Sequence, residues 1–254
     1  MKEKMFCPPI KTSLLKTKKA NVLVVRDDFL EGGTKQRAAI PFLNKLKEEG
    51  IEEFVYASPF SGFAQIALSI SSKEAKVAST IFSSLDDDGN VSSYTKIASK
   101  NSKIISCQDL QEAEKLSDYY QKSKKNCLKI PLGFNHPLFI DFLKKELKEQ
   151  LKLIGNFNRL WIPVGSGTLA KTFRDILPDK RLVCVNIRVI EDSDYRIRHI
   201  HQMENSSCYK AHEEFKTACE LIPPIPSNLF YDSKLWRFIN EFAENGDVWW
   251  NVAK

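Results

Sequence analysis

Val22-Leu-Val-Val-Arg-Asp-Asp-Phe-Leu-Glu-Gly-Gly-Thr-Lys-Gln-Arg37 passes from four apolar residues, through an acidic pair and two adjacent glycines, to a lysine. Three valines and a leucine from Val22 to Val25 read as a buried strand. Gly32-Gly33 lets the backbone turn where a side chain would clash. From Gln36 to Leu46 the apolar residues recur at helical spacing. A lysine at such a strand-to-helix turn faces whatever the turn cradles, which makes Lys35 the first candidate functional residue.

Outward from that stretch, the composition is that of an ordinary folded protein. With 254 residues, 43% hydrophobic and 28% charged, the chain can bury one large core or two smaller ones. No run of eighteen apolar residues occurs, so no membrane span is expected. Met1 to Pro9 carries charge without an apolar centre, which is not the pattern of a secretory signal. Six cysteines, at 7, 107, 127, 184, 208 and 219, lack paired spacing, and reduced thiols in the cytoplasm are the expectation. A net charge of +6 permits attraction to a nucleic acid, but the lysines are scattered and form no basic stripe with interleaved aromatics.

Strand-like runs at 22–25, 54–57, 77–82, 103–106, 128–130, 159–164, 182–187 and 248–250 alternate with helical patterns at 36–46, 63–71, 91–99, 109–122, 137–153, 169–177, 212–221 and 233–245. That alternation predicts parallel α/β units. Residues 2–20 read as an irregular lead-in, and the polar stretch 191–207 yields no element.

Five further groups of residues stand at turns. Gly165-Ser-Gly-Thr168, between a strand and a helix, is a phosphate cup in outline: glycines admit the anion to main-chain N–H groups and the helix N-terminus adds positive potential. As a plain turn it would only cap a helix with Thr168. Ser58-Pro-Phe-Ser61-Gly62 and Pro131-Leu-Gly-Phe-Asn135 follow strands, and Tyr231-Asp-Ser-Lys234 and Trp249-Trp-Asn-Val-Ala253 lie near the C-terminus. His199, His201, Cys208 and His212 carry zinc-ligand chemistry, but their spacing matches no standard site and they read as surface residues. Asp86-Asp-Asp88 reads as an acidic loop rather than a cation site.

Taken in order, Lys35, Ser61, Pro131 to Asn135, Gly165 to Thr168 and Tyr231 to Lys234 resemble the fold-type II pyridoxal-phosphate enzymes, in particular the group of 1-aminocyclopropane-1-carboxylate deaminase and D-cysteine desulfhydrase. The resemblance implies a tryptophan-synthase-beta-like α/β fold of two open parallel-sheet domains with helices on both faces. Residues 1–45 and 130–254 would form the larger cofactor domain and residues 46–129 the smaller inserted one. It also implies pyridoxal 5'-phosphate held in Schiff-base linkage by Lys35, its phosphate on Gly165, Ser166, Gly167 and Thr168. Catalytic roles would fall to Lys35, Ser61 and Tyr231, and substrate contacts to Ser58, Ser61 and Asn135. The implied activity is of lyase type on an amino acid or amine: a deaminase, desulfhydrase or decarboxylase, working as a homodimer.

The chain departs from that group at several points. Gly62 and Phe63 replace an asparagine that meets the cofactor's ring oxygen and a basic or amide residue after it, and the phosphate loop is one glycine shorter. Asn251 stands where a serine or threonine would meet the pyridine nitrogen. Three other readings remain open at this level. One is a lyase or decarboxylase acting on an amino-acid-modified nucleic-acid base. Another is a phosphoribosyltransferase-like enzyme using Asp27-Asp28 and Gly32-Gly-Thr34, which that family's ribose-phosphate loop resembles. The last is a cofactor-binding protein without catalysis.

Overall fold

The computed structural model describes residues 7–254. The first six residues, and with them part of the lead-in and of the stretch expected not to be a secretory signal, lie outside the described residues. In chain order the first elements are β1 (Thr12–Lys16), β2 (Asn21–Arg26), α1 (Gly33–Glu48), β3 (Glu53–Ser58), α2 (Ala64–Ala75) and β4 (Ala78–Ser84). Next come α3 (Ser93–Ala98), β5 (Lys103–Cys107), α4 (Leu110–Lys122), β6 (Cys127–Ile130) and α5 (Pro137–Leu151). The chain continues through β7 (Arg159–Val164), α6 (Thr168–Ile176), β8 (Arg181–Asn186), α7 (Tyr195–Gln202), β9 (Ser206–Lys210), α8 (Ser233–Phe242) and β10 (Val248–Asn251). Two compact units result, one containing Lys35–Phe142 and one made of Pro8–Thr34 and Leu143–Lys254.

The Lys35–Phe142 unit carries a four-stranded parallel sheet in the order β5-β4-β3-β6. Val55, Ala57, Phe82, Cys107 and Ala113 form a core cluster between this sheet and α4. The other unit carries six strands in the order β1-β2-β10-β7-β8-β9, all parallel except the antiparallel edge strand β1. Trp161, Val183, Val185, Leu235, Ile239 and Trp249 fill its core. Strands covered on both faces read as continuous apolar runs, and β2 and β8 show this.

Three segments differ from expectation. The lead-in contains β1, whose Leu14 is 69% exposed and whose Leu15 alone points inward, a pattern too thin to register as a strand. The polar stretch 191–207 contains α7, started by the Asp194 carboxylate accepting from Arg196 N–H at 2.8 Å and seated by Ile197 and Ile200. Two isoleucines three apart suffice because Asp194 supplies the cap. Residues 212–221, read as helix, form none. Ala211, Phe215 and Cys219 are buried at spacings of four, but Cys219 N–H donates to Leu229 O at 2.9 Å, so the segment meanders and only imitates helical periodicity.

Both sheets reverse direction once. In the first, β3, β4 and β5 step one way and β6 returns on the other side of β3. In the second, β7, β8 and β9 step one way and β10 returns on the other side of β7. Open parallel sheets bind ligands in the crevice beyond the carboxyl ends of the strands at such a reversal.

Candidate functional site

The carboxyl end of β7 leads directly into Gly165-Ser-Gly-Thr168 and α6. Paired strands β10 and β7 match only at Val248 with Leu160 and Trp249 with Trp161, so their ladder stops two residues before Pro163, which has no N–H to offer. This is the reversal at which such a crevice is expected. Gly167 lies at φ +83°, a conformation that favours glycine, and it caps α6 without any side-chain hydrogen bond. The first N–H groups of α6 are therefore left for a ligand. Ser166 and Thr168 place their hydroxyls 3.2 Å apart over this helix end. A Cβ at Gly165 would stand 3.1 Å from Val189 Cγ2 and 3.8 Å from Tyr231 Cε1, so only a glycine fits comfortably and the Tyr231 ring flanks the cup. The structure thus places Gly165, Ser166, Gly167 and Thr168 at one helix start, with the ring of Tyr231, expected as an acid-base group, beside them.

On the other flank of the same crevice, β10 and β2 hold a buried polar knot. Asp27 accepts from Thr34 Oγ1 at 2.8 Å and from Trp250 Nε1 at 3.1 Å, and Thr34 N–H donates to Val252 O at 3.0 Å. Asp28 accepts two bonds from Arg26, at 2.7 and 2.8 Å, and a third from Asn251 Nδ2 at 3.0 Å. Neither carboxylate is exposed, and each is engaged by one side chain of the turn region and one of β10, which leaves them no face for a ribose phosphate. Gly33, at φ +63°, lets the chain turn into α1. Lys35 follows Thr34 as the third residue of α1, so the knot fixes the backbone from which it projects. Asn251 donates its other N–H to Pro226 O at 2.8 Å, while its Oδ1 is buried and meets no partner.

At the reversal in the first unit, β3 ends at Ser58 and β6 is followed by Pro131 to Asn135. Tyr56 OH accepts from Gly133 N–H at 3.3 Å and ties the two strand ends together. Ser58 Oγ donates to Pro59 O at 3.1 Å, whereas Ser61 Oγ is buried without a partner. Asn135 ends the short turn at the β6 side, half-buried. A Cβ at Gly62 would lie 2.6 Å from Ser58 Oγ and 2.9 Å from Pro59, so the loop as folded excludes any side chain there.

Sequence reading missed Gln65, one turn beyond Ser61. Thr95 Oγ1 lies 2.8 Å from Ser83 Oγ, 2.9 Å from Ser92 Oγ and 3.0 Å from Gln65 Oε1. With one proton of its own, Thr95 donates to Gln65 and accepts from the two serines. That direction fixes the amide and leaves the fully buried Gln65 Nε2 as an unpaired donor. Nothing in a helix beginning Ala-Gln-Ile-Ala announces this, since the signal lies in residues thirty positions away.

Lys234 is 1% exposed, donates to Glu214 O at 2.7 Å, and is pushed down to about 8 by burial. All six cysteines are free thiols, and burial raises those of Cys107 and Cys208 to about 11. Among the described residues no group of three or more His, Cys, Asp or Glu side chains is placed to hold a metal; His199, His201 and His212 are exposed. No helix of the described residues is long and apolar enough to cross a membrane.

Solved structures match the chain over nearly its whole length. A homologue of ACC deaminase is 13% identical with a TM-score of 0.77, covering 98% of this chain and 90% of that one. A hydrogen sulfide-producing enzyme from Fusobacterium nucleatum is 14% identical with a TM-score of 0.69, over 96% of this chain and 93% of its own. Serine racemase from Dictyostelium discoideum is 18% identical with a TM-score of 0.63, over 96% and 91%. The fold is that of the fold-type II enzymes. This bears out the α/β class expected from the order of the motifs. No protein-family profile and no curated protein matches the chain.

Proposed function

We propose that this chain is a pyridoxal-phosphate-dependent enzyme of lyase type, acting on a small amino acid or amine as a deaminase, desulfhydrase or decarboxylase. The observation that carries the reading is the uncapped, glycine-lined start of α6 at a sheet reversal, flanked by Tyr231. Anions bind where helix N–H groups, hydroxyls and a close backbone converge. The remaining residues suit this cofactor as well: Lys35 in the first turn of α1, and an orphaned buried acceptor on Asn251. When bound, the cofactor acts as an electron sink for the α carbon of the amine it carries.

The protein's own groups take the following parts in this reading. Ser166, Thr168 and the first amides of α6 hold the phosphate, in the unit of Pro8–Thr34 and Leu143–Lys254. Lys35 would be the residue that holds the cofactor at its aldehyde carbon, and its amine would carry a proton to or from the substrate's α carbon. Ser61 Oγ and Gln65 Nε2, both buried donors without partners, bind the carboxylate or another acceptor group of the substrate. Ser58 spends its hydroxyl on Pro59 O, which leaves Ser61 as the donor of that loop. Asn135 lines the substrate side, and Tyr231 OH serves as a second proton carrier.

The test is the visible spectrum of the purified chain titrated with pyridoxal phosphate, before and after borohydride, beside Lys35→Ala. A visible band abolished by reduction and absent from the variant supports the reading. An intact fold without any band in wild type sinks it. A panel of amino acids, followed by ammonia, sulfide or carbon dioxide release, then selects among the three lyase reactions.

A further inference from the structure

We propose that Asn251 accepts a hydrogen bond at Oδ1 from the ring nitrogen of the bound pyridine cofactor and so keeps that nitrogen protonated. This rests on the cofactor reading above and adds the charge state in which the ring is held.

The orientation of the amide is fixed by its neighbours. Asn251 Nδ2 donates to Asp28 Oδ1 at 3.0 Å and to Pro226 O at 2.8 Å. Both partners are acceptors, so rotating the amide by half a turn would set Oδ1 against a carboxylate and a carbonyl. The presented atom is therefore the oxygen. It is buried and unpartnered, and an acceptor left so costs about 1–3 kcal/mol. Asp28 is held in turn by two bonds from Arg26. A carboxylate drawing on the amide N–H polarises the amide and makes its oxygen a better acceptor.

Position brings this oxygen to the cofactor. β10 lies beside β7, with Trp249 opposite Trp161. Continuing that register sets Asn251 level with Pro163, two residues short of the Gly165 cup, on the opposite wall of the reversal crevice. A pyridine phosphate whose anion sits in the cup offers acceptors at its phosphate and ring oxygen. Away from the hydroxyl of its ring, the nitrogen is a donor when protonated. An acceptor fixed in this wall selects that form. A hydroxyl at the same place could donate to a neutral nitrogen and would select nothing. Protonated, the ring withdraws electrons more strongly, and carboxylate or arginine partners at that nitrogen set its electronics in other enzymes of this cofactor. Here the carboxylate of Asp28 acts through the amide.

The experiment is the nitrogen NMR spectrum of the full chain loaded with pyridoxal phosphate labelled with 15N in the ring, at neutral pH, with Asn251→Ser and Asn251→Leu alongside. A pyridinium-type shift in wild type that moves to the neutral-pyridine type in Asn251→Ser supports the proposal. In parallel, the analogue with CH in place of the ring nitrogen should bind wild type about 10- to 100-fold more weakly than the parent cofactor, the equivalent of one hydrogen bond to a charged group. That difference should vanish in Asn251→Leu. Should the variants fail to fold, the wild-type spectrum decides alone. A neutral-type shift with cofactor bound overturns this proposal and leaves the cofactor reading intact, while failure of wild type to bind the cofactor overturns both.

Discussion

Thr34 ties Asp27 to the residue that precedes Lys35. Its hydroxyl joins Asp27 to Trp250, at 2.8 and 2.9 Å, and its N–H anchors on Val252 O. Thr34→Val keeps the shape and removes the hydroxyl, and we expect a stability loss of about 1–2 kcal/mol together with a severalfold rise in the Kd for pyridoxal phosphate, read by denaturant melts and by titration. Unchanged affinity would mean that the knot does not position Lys35. Gly62 marks the opposite case. Restoring the asparagine typical of the resembled enzymes is expected to lower the melting temperature rather than improve cofactor binding, because its Cβ would collide with Ser58 Oγ and Pro59. Lys234 supplies a pH test. Its pKa is lowered to about 8 in the fold against about 10.4 in an unfolded chain, so between these values the unfolded state holds the extra proton and stability rises with pH. The stability of Lys234→Met relative to wild type should be greatest below pH ~8 and should shrink above it. A difference independent of pH would show that Lys234 stays charged.

Among the elements, β7 is pinned at its start. Asp247, just before β10, accepts from Arg159 at 2.9 and 2.8 Å, from Trp161 Nε1 at 2.8 Å and from Glu244 N–H at 3.0 Å. Asp247→Ala strands a half-buried guanidinium and a buried indole N–H, and a loss of about 3–5 kcal/mol in urea melts is expected. The Asp247→Ala, Arg159→Ala pair should lose less than the sum of the single changes, and strict additivity would refute the coupling. The legibility of elements follows the same physics. Strands β2, β3, β7 and β8 announce themselves because they are apolar on both faces. α7 does not, since Ile197, Ile200 and the Asp194 cap are all that hold it. The 212–221 segment misleads because buried residues four apart satisfy a helix and a meander equally well. At the site, the glycines and Lys35 were visible as turn chemistry. Gln65 was not, and Asn251 was legible only by its place in the motif order, without its tie to Asp28; Thr95 and Asp28 are distant partners that local sequence does not identify.

For the whole molecule, the strand–helix alternation makes the parallel class readable, while the sheet order is not encoded in any one stretch. β10, last in the chain, lies between β2 and β7. The same arrangement has a consequence in time. Val248 pairs with Leu23 and with Leu160, so one of the middle strands of the six-stranded sheet leaves the ribosome after both of its neighbours. Until then β2 and β7 present unpaired backbone edges, the kind of surface on which nascent chains associate. Nothing comparable delays the Lys35–Phe142 unit, whose four strands are contiguous in the chain. Pulse-labelled hydrogen exchange during refolding should therefore protect β3 and β4 before β2, and β10 and β2 together. Protection of β2 ahead of β10 would contradict that order. Synthesis thus has a vulnerable interval, closed by the arrival of Val248 to Asn251, in which a chaperone would find its substrate.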